Sequence, residues 1–191
     1  IVNMLYVRSS LERANESRRE MEAVNVKLLK QSETDQMTGL ANRYRLNAYS
    51  EKVLDYCYEH RLPLAMEILD IDFFKQYNDN YGHQQGDECI IAIADELKKM
   101  EDRQTFCARY GGDEFMVVIY NTIKTEIEDI LKQLSREKDR LNSSGNNMPI
   151  DYACGWAISD ADSECTIQML LDKADYYMYE NKQAYKKSKK S

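Results

Sequence analysis

Little in this chain supports the commoner ways of holding a metal or a nucleic acid. Its 191 residues carry two histidines, His60 and His83, and five cysteines with no CxxC among them, which excludes a zinc pattern. Cys57, Cys89, Cys107, Cys154 and Cys165 are widely spaced, and several fall at apolar positions, so buried free thiols are expected rather than a disulfide framework. His83 reads as a turn or packing residue, not a ligand. Cations are in deficit: 26 Lys and Arg against 33 Asp and Glu leave a formal net charge of −7. That balance argues against a nucleic-acid binder, whose affinity would rest on clustered cations. No stretch approaches the roughly 18 apolar residues of a membrane span. What remains is a globular composition, 43% apolar and 31% charged, long enough for one domain and an appendage.

Glycine and proline are absent from residues 2 to 33. There Met4, Val7, Leu11, Ala14, Arg18, Met21, Asn25 and Leu28 recur at alternating steps of three and four, a heptad seam with Arg18 and Asn25 as polar interruptions. Two readings stand: a coiled coil pairing two copies of the chain, or one amphipathic helix packed on its own domain. The chain begins at Ile1 rather than at methionine and reads as a piece of a longer protein. Residues Ile1 to Val7 would then be the tail of a membrane helix or of a sensor domain. The expected division is an N-terminal helix over 1–33, a globular domain over 34–187 and a basic tail over 188–191.

Beyond Asp35 helices and strands alternate. Arg43 to His60 reads as a helix with Leu46, Val53, Leu54 and Cys57 inward, and Leu64 to Asp70 as a strand. A short helix is expected through Lys75 to Tyr81, then one from Gly86 to Met100 with Ile90, Ile93, Ala94 and Leu97 on one face. A hairpin follows, a polar helix near Lys124 to Leu141, a loop over Asn142 to Asn147 and a strand near Ile150 to Ala157. The last helix, roughly Ser163 to Lys187, turns Ile167, Leu170, Leu171, Ala174 and Met178 inward. This order predicts an α/β (α+β) fold: a mixed, mostly antiparallel central sheet covered by helices, preceded by an N-terminal helix.

The hairpin carries Arg109-Tyr110-Gly111-Gly112-Asp113-Glu114-Phe115 at its tip. Glycines there permit a positive φ or the close approach of another group, and carboxylates there can hold a hard cation. Asp70, at the mouth of the strand Leu64 to Asp70, is expected to face Asp113, a pairing suited to Mg²⁺ when a backbone carbonyl, waters and phosphates complete the shell. The bland reading makes Asp70 and Asp72 solvated strand-end residues. After Asp72 the chain turns into Phe73-Phe74-Lys75, whose N–H groups can form an anion nest and whose lysine adds a cation. Asn78 and Asp87 suit guanine: the carboxylate accepts from N1–H and the exocyclic amine, and the amide meets N3 or a neighbouring edge. Asp87 has a competing role as a helix N-terminal cap. Lys182 and Lys186 lie four apart on one helix face, able to reach phosphates or simply solvated.

These pieces, in this order and spacing, resemble the GGDEF family, the diguanylate cyclases. The likeness runs from about residue 35 to 187 and includes Asp35-Gln36-Met37-Thr38-Gly39-Leu40-Ala41-Asn42-Arg43 and the helix from Ala174-Asp175 through Lys182. The resemblance implies a palm-like nucleotidyl cyclase fold. It implies an enzyme that condenses two GTP into cyclic di-GMP plus pyrophosphate across a homodimer held by the N-terminal helix. It gives Asp70, the Ile71 carbonyl, Asp113 and Glu114 to Mg²⁺, with Mn²⁺ as an alternative, and leaves Glu114 as ligand or activator of the ribose hydroxyl. Phe73, Phe74, Lys75, Lys182 and Lys186 would serve the phosphates, Asn78 and Asp87 the guanine, and Gly111 and Gly112 would let the nucleotide lie against the hairpin. Asp102 and Thr105 stand where the family's inhibitory Arg-x-x-Asp product site falls, so that site is expected to be absent. The implied setting is cytoplasmic, alone or as the cytoplasmic part of a membrane-anchored sensor. The alternative is a catalytically silent module that binds GTP or cyclic di-GMP.

Overall fold

The computed structural model describes residues 2–31, 33–143, 150–159 and 164–188. Its contacts divide the chain into two units, Ile1–Glu33 and Thr34–Ser191. The first unit is one α-helix, α1 (Val2–Gln31). Among its described side chains Leu11, Met21 and Leu28 of the heptad seam are exposed. No helix among the described residues is long and apolar enough to cross a membrane.

In the second unit the order is β1 (Ala41–Asn42), α2 (Arg43–His60), β2 (Leu64–Ile71), α3 (Phe74–Tyr81), α4 (His83–Met100), β3 (Thr105–Arg109), β4 (Glu114–Tyr120), α5 (Lys124–Ser143), β5 (Tyr152–Ile158) and α6 (Ile167–Ser188). The strands form one sheet ordered β1-β3-β4-β2-β5. Among the described residues only the short β1–β3 pairing is parallel, so the mixed, mostly antiparallel sheet predicted from the sequence is found.

Strand alternation assigns each residue to a face. Ala65, Leu69, Ile71, Phe115 and Val117 pack with Cys89, Ile90, Ile93, Ala94 and Leu97 of α4 and with Ile127 and Leu134 of α5. Leu64, Met66, Ile68, Met116 and Val118 pack with Leu46, Val53 and Cys57 of α2 and with Leu170, Ala174 and Met178 of α6. Helix α6 packs close on β5. A Cβ on Gly155 would collide with the Met178 nitrogen and the Ala174 oxygen, so glycine there sets how near the helix lies. None of the five cysteines is in a disulfide, and burial raises the Cys57, Cys89, Cys107 and Cys154 thiols above their ordinary pKa.

Helix α4 departs from the sequence expectation. It starts at His83, and its N-cap is Gly82 with φ +87°. Asp87 therefore lies in its second turn and does not cap it, which corrects one of its two readings. Helix α5 continues through Ser143 into the expected loop, and the rest of that loop falls at 144–149, outside the described residues. Strand β5 begins at Tyr152 and α6 at Ile167; the expected start at Ser163 and tail residues 189–191 also fall outside.

Glu67, mid-strand in β2, is 1% exposed, and neither carboxylate oxygen has a hydrogen-bond partner. Burial drives its pKa up from 4.5 to about 7, so it is held as the neutral acid through much of the acidic range. The folded chain then keeps a proton that the unfolded chain releases between pH 4.5 and 7. Stability is expected to fall as pH rises through that window, by about 1.4 kcal/mol per unit at its steepest. Chemical denaturation at several pH values checks this: Glu67→Gln should flatten the slope, and an unchanged slope would remove Glu67 as its source.

Candidate functional site

The site is assembled where β2 leaves the sheet. Asp70 follows Leu64, Met66 and Ile68 in the alternation, so it shares their face, the one covered by α6. Lys182 of α6 meets it there, Nζ to Oδ1 at 2.5 Å, with the two side chains 21% and 17% exposed. The β2–β4 register sets Asp70 opposite Glu114, and the Ile71 N–H donates to the Asp113 carbonyl at 3.2 Å. Main-chain pairing thus brings Asp70, Asp113 and Glu114 together from two strands. Asp113 has its pKa raised, first by burial and then by the Asp70 charge, with Lys182 and Arg109 opposing. Glu114 is raised by burial, then by Asp70, Asp113 and Asp175, with Lys182 again opposing. Asp175, on α6, is an acidic neighbour that the sequence reading had left unassigned.

The hairpin tip is closed by Tyr110 and Gly111 N–H groups donating to the Glu114 carbonyl at 2.8 and 3.2 Å. Neither Gly111 nor Gly112 takes a positive φ, which corrects one reason expected for them. Close approach is the reason that holds at Gly111: a Cβ there would lie 2.7 Å from Glu114 Oε2. At Gly112 a Cβ would meet nothing within 4 Å, leaving that face of the tip open.

Arg109 fastens this turn to the entrance of the domain. Its Nη2 donates to the Gly112 carbonyl at 2.7 Å, its Nε to the Gly111 carbonyl at 3.1 Å and its Nη1 to Asp35 Oδ1 at 3.1 Å. Asp35 also accepts from the Thr38 N–H at 2.9 Å and hydroxyl at 2.7 Å. Burial alone would raise the Asp35 pKa; the hydrogen bonds from Thr38 and Arg109 outweigh it and hold the carboxyl below its ordinary value. Both residues sit in motifs visible in the sequence, but 74 positions apart, and nothing in either motif signals the contact.

Past Asp72 the chain makes the sharp turn expected of it. Phe73 has φ +57°, a left-handed conformation rare for a bulky residue, and it opens α3. As at any helix start, the first N–H groups of α3 have no acceptor within the helix. Lys75 is exposed, Asn78 is half-buried in the last turn of α3, and Asp87 is exposed on α4. Lys186 lies in the last turns of α6, and its side chain is outside the described residues.

Two or more carboxylates repelling one another beside a lysine ammonium form a donor set that fits a hard divalent cation. Among the described residues no three His, Cys, Asp or Glu side chains converge closely enough to hold one alone. Such a cation would need carbonyl, water or phosphate oxygens as well.

Comparison with known proteins agrees with this frame. Residues 32–188 match the family model described as "Diguanylate cyclase, GGDEF domain". The GGDEF domain of DgcB from Caulobacter crescentus, solved in complex with c-di-GMP, superposes with a TM-score of 0.73 at 26% identity, over 80% of this chain and 89% of that one. Diguanylate cyclase DgcP of Pseudomonas aeruginosa is 29% identical over 177 residues, 91% of this chain and 26% of that protein. Diguanylate cyclase DgcN of Escherichia coli is 30% identical over 179 residues, 91% of this chain and 43% of that protein. This chain therefore belongs to the GGDEF family and has its nucleotidyl cyclase fold. It spans well under half the length of these two curated relatives.

The Arg109–Asp35 pair is only 12% and 25% exposed, so it is shielded from the screening that weakens surface pairs. A double-mutant cycle over Asp35→Ala and Arg109→Ala is expected to give a coupling of about 1–2 kcal/mol. Each single change should lower Tm by about 2–6 °C in thermal unfolding. Additive losses would mean that the contact contributes nothing.

Proposed function

We propose that this chain is the catalytic module of a diguanylate cyclase, condensing two GTP into cyclic di-GMP and two pyrophosphates. The observation that carries the reading is the convergence of Asp70, Asp113 and Glu114 at one end of the sheet, with Lys182 at Asp70. Phosphates would lie on the Phe73 and Phe74 N–H groups, with Lys75, Lys182 and Lys186 supplying charge. Gly111 and the open face of Gly112 would receive the nucleotide. Asn78 and Asp87 would read guanine, which favours a product with two guanines.

Each 3′-hydroxyl oxygen bonds to the α-phosphorus of the other nucleotide, the α–β anhydride bond breaks and pyrophosphate leaves. Glu114 would serve either as a further ligand of the cation or as the group that takes the hydroxyl proton. A divalent cation, Mg²⁺ with Mn²⁺ as alternative, would be held by Asp70, Asp113, the Ile71 carbonyl and Glu114, supplying acidity to the nucleophile and neutralising pyrophosphate charge. One domain positions one GTP, so two domains must meet. The exposed Leu11, Met21 and Leu28 on α1 support a coiled-coil homodimer that raises the local concentration of the second domain. Feedback through an Arg-x-x-Asp site is not expected. Asp102 instead accepts from the Gln104 and Thr105 N–H groups at 2.8 and 2.7 Å, closing a turn, and Thr105 is buried.

Chromatography of GTP reactions with Mg²⁺ tests the reading. Cyclic di-GMP should form at a rate rising more steeply than linearly with protein and vanish in Asp113→Ala. GTP binding without product, even in a forced dimer, would make the silent binding module the better account.

Lys182 adds a second expectation. Its ammonium stands where a cation at Asp70 must compete, so Lys182→Met should bind Mn²⁺ more tightly without nucleotide, read by electron paramagnetic resonance. The same change should weaken GTP binding by about tenfold or more, as loss of a charge-assisted contact does. Unchanged Mn²⁺ affinity would contradict the competition.

A further inference from the structure

Where α3 meets α4, the fold tolerates two unfavourable features at one point. Asn78 Oδ1 is buried and has no hydrogen-bond partner, a condition that costs about 1–3 kcal/mol. Gly86 sits in the first turns of α4, where a helix-interior glycine costs about 1 kcal/mol relative to alanine. The glycine is not there for its backbone, because its φ is not positive, unlike that of Gly82. It is there for space. A Cβ on Gly86 would collide with Asn78 Oδ1 and lie 2.9 Å from Asn78 Cγ and 3.2 Å from Phe74 Cζ. The oxygen of Asn78 thus fills the volume that a side chain at 86 would take, with Phe74 as the other wall.

We infer that Gly86 is a positioning residue for purine recognition: its missing side chain is a slot that clamps the Asn78 amide by its oxygen end. This rests on the guanine-reading role proposed for Asn78 and Asp87. With Oδ1 held against Gly86, the working end of the amide is its NH₂, which donates to no acceptor among the described residues. Purine N3 is an acceptor that an NH₂ can meet, whereas N1–H and the exocyclic amine are donors for a carboxylate. Asp87, the next residue along, is exposed and carries that carboxylate. One residue of chain therefore links the slot that orients the N3 contact to the group that reads the adjacent edge. A methyl group at 86 would push the amide out of the slot and remove the N3 contact while leaving Asp87 in place.

The test is binding of two ligands to wild type and Gly86→Ala: the α,β-methylene analogue of GTP, which cannot be turned over, and its 3-deaza form, in which C–H replaces N3. Wild type should prefer the first by about tenfold, as one lost hydrogen bond implies. Gly86→Ala should bind both alike, at the weaker level. A substitution that only disturbed packing would lower stability yet keep the preference, and that result would overturn the inference. If Gly86→Ala does not fold, Asn78→Ala/Gly86→Ala empties the slot before filling it. That double variant should regain the stability of Asn78→Ala and bind both ligands alike; failure to regain it would mean that the methyl meets something other than Asn78. Wild type that binds both ligands equally overturns the inference alone, whereas wild type that binds neither overturns the nucleotide reading beneath it.

Discussion

Strand β2 is hydrogen-bonded on both sides, by β4 and by β5, and nearly every residue along it is buried. A strand so placed cannot slip by one residue without turning its whole apolar set to the wrong face. That constraint carries through to the site. Because Leu69 pairs with Phe115, Asp70 must lie opposite Glu114, and the next N–H must find the Asp113 carbonyl. Three carboxylates are brought together by main-chain geometry, against their own repulsion. Burial first, and that repulsion second, raise the pKa values of Asp113 and Glu114. The ladder thus fixes one side of the site from the core.

The same strand shows how far environment decides the state of a carboxyl group. Glu67 and Asp70 are three residues apart and point to opposite faces. Glu67 enters the apolar layer under α4 and α5, where burial outweighs the neighbouring Cys154 thiol and keeps it neutral up to about pH 7. Asp70 emerges under α6, where Lys182 meets it. Burial without a counter-charge disfavours the ionised form, whereas a lysine beside a carboxylate offsets its desolvation. Lys182 is the counter-charge beside which these carboxylates sit.

Much of this was legible from the residues. Helix α2 lies where its apolar periodicity puts it, because both ends have local chemistry: Asn42 Oδ1 accepts from the Arg45 N–H, and Arg61 ends the helix in the left-handed conformation. The start of α4 was not legible, since His83-Gln84-Gln85 adds no apolar residue to the pattern and buried positions begin only at Gly86 and Cys89. Juxtaposition of Asp70 with the hairpin carboxylates could be read from two strand ends flanked by apolar runs. The tie between Arg109 and Asp35 could not, being a contact between distant segments with no periodicity to reveal it. Glu67 was hidden for the opposite reason: one acid within an apolar strand does not break the pattern that defines the strand. Gly111 misled by type, because glycine in a turn suggests a positive φ, and here it makes room for Glu114.

That tie has a mechanical consequence for the hairpin. Asp35 lies two residues past Glu33, where the N-terminal unit ends, and its turn is closed by Thr38 and by the Gly39 N–H on the Asp35 carbonyl at 2.7 Å. The Arg109 guanidinium is planar and donates to Asp35 and to the Gly111 and Gly112 carbonyls at once, so its orientation is set from both sides. A lysine could pair with Asp35 but could not hold two carbonyls of the turn in fixed directions. The next residue after those carbonyls is Asp113. Its place thus depends on two supports, the β2–β4 ladder from inside the sheet and the guanidinium from the entrance. The ladder belongs to the core, whereas the guanidinium acts on the turn from the entrance, so the two supports fix Asp113 independently.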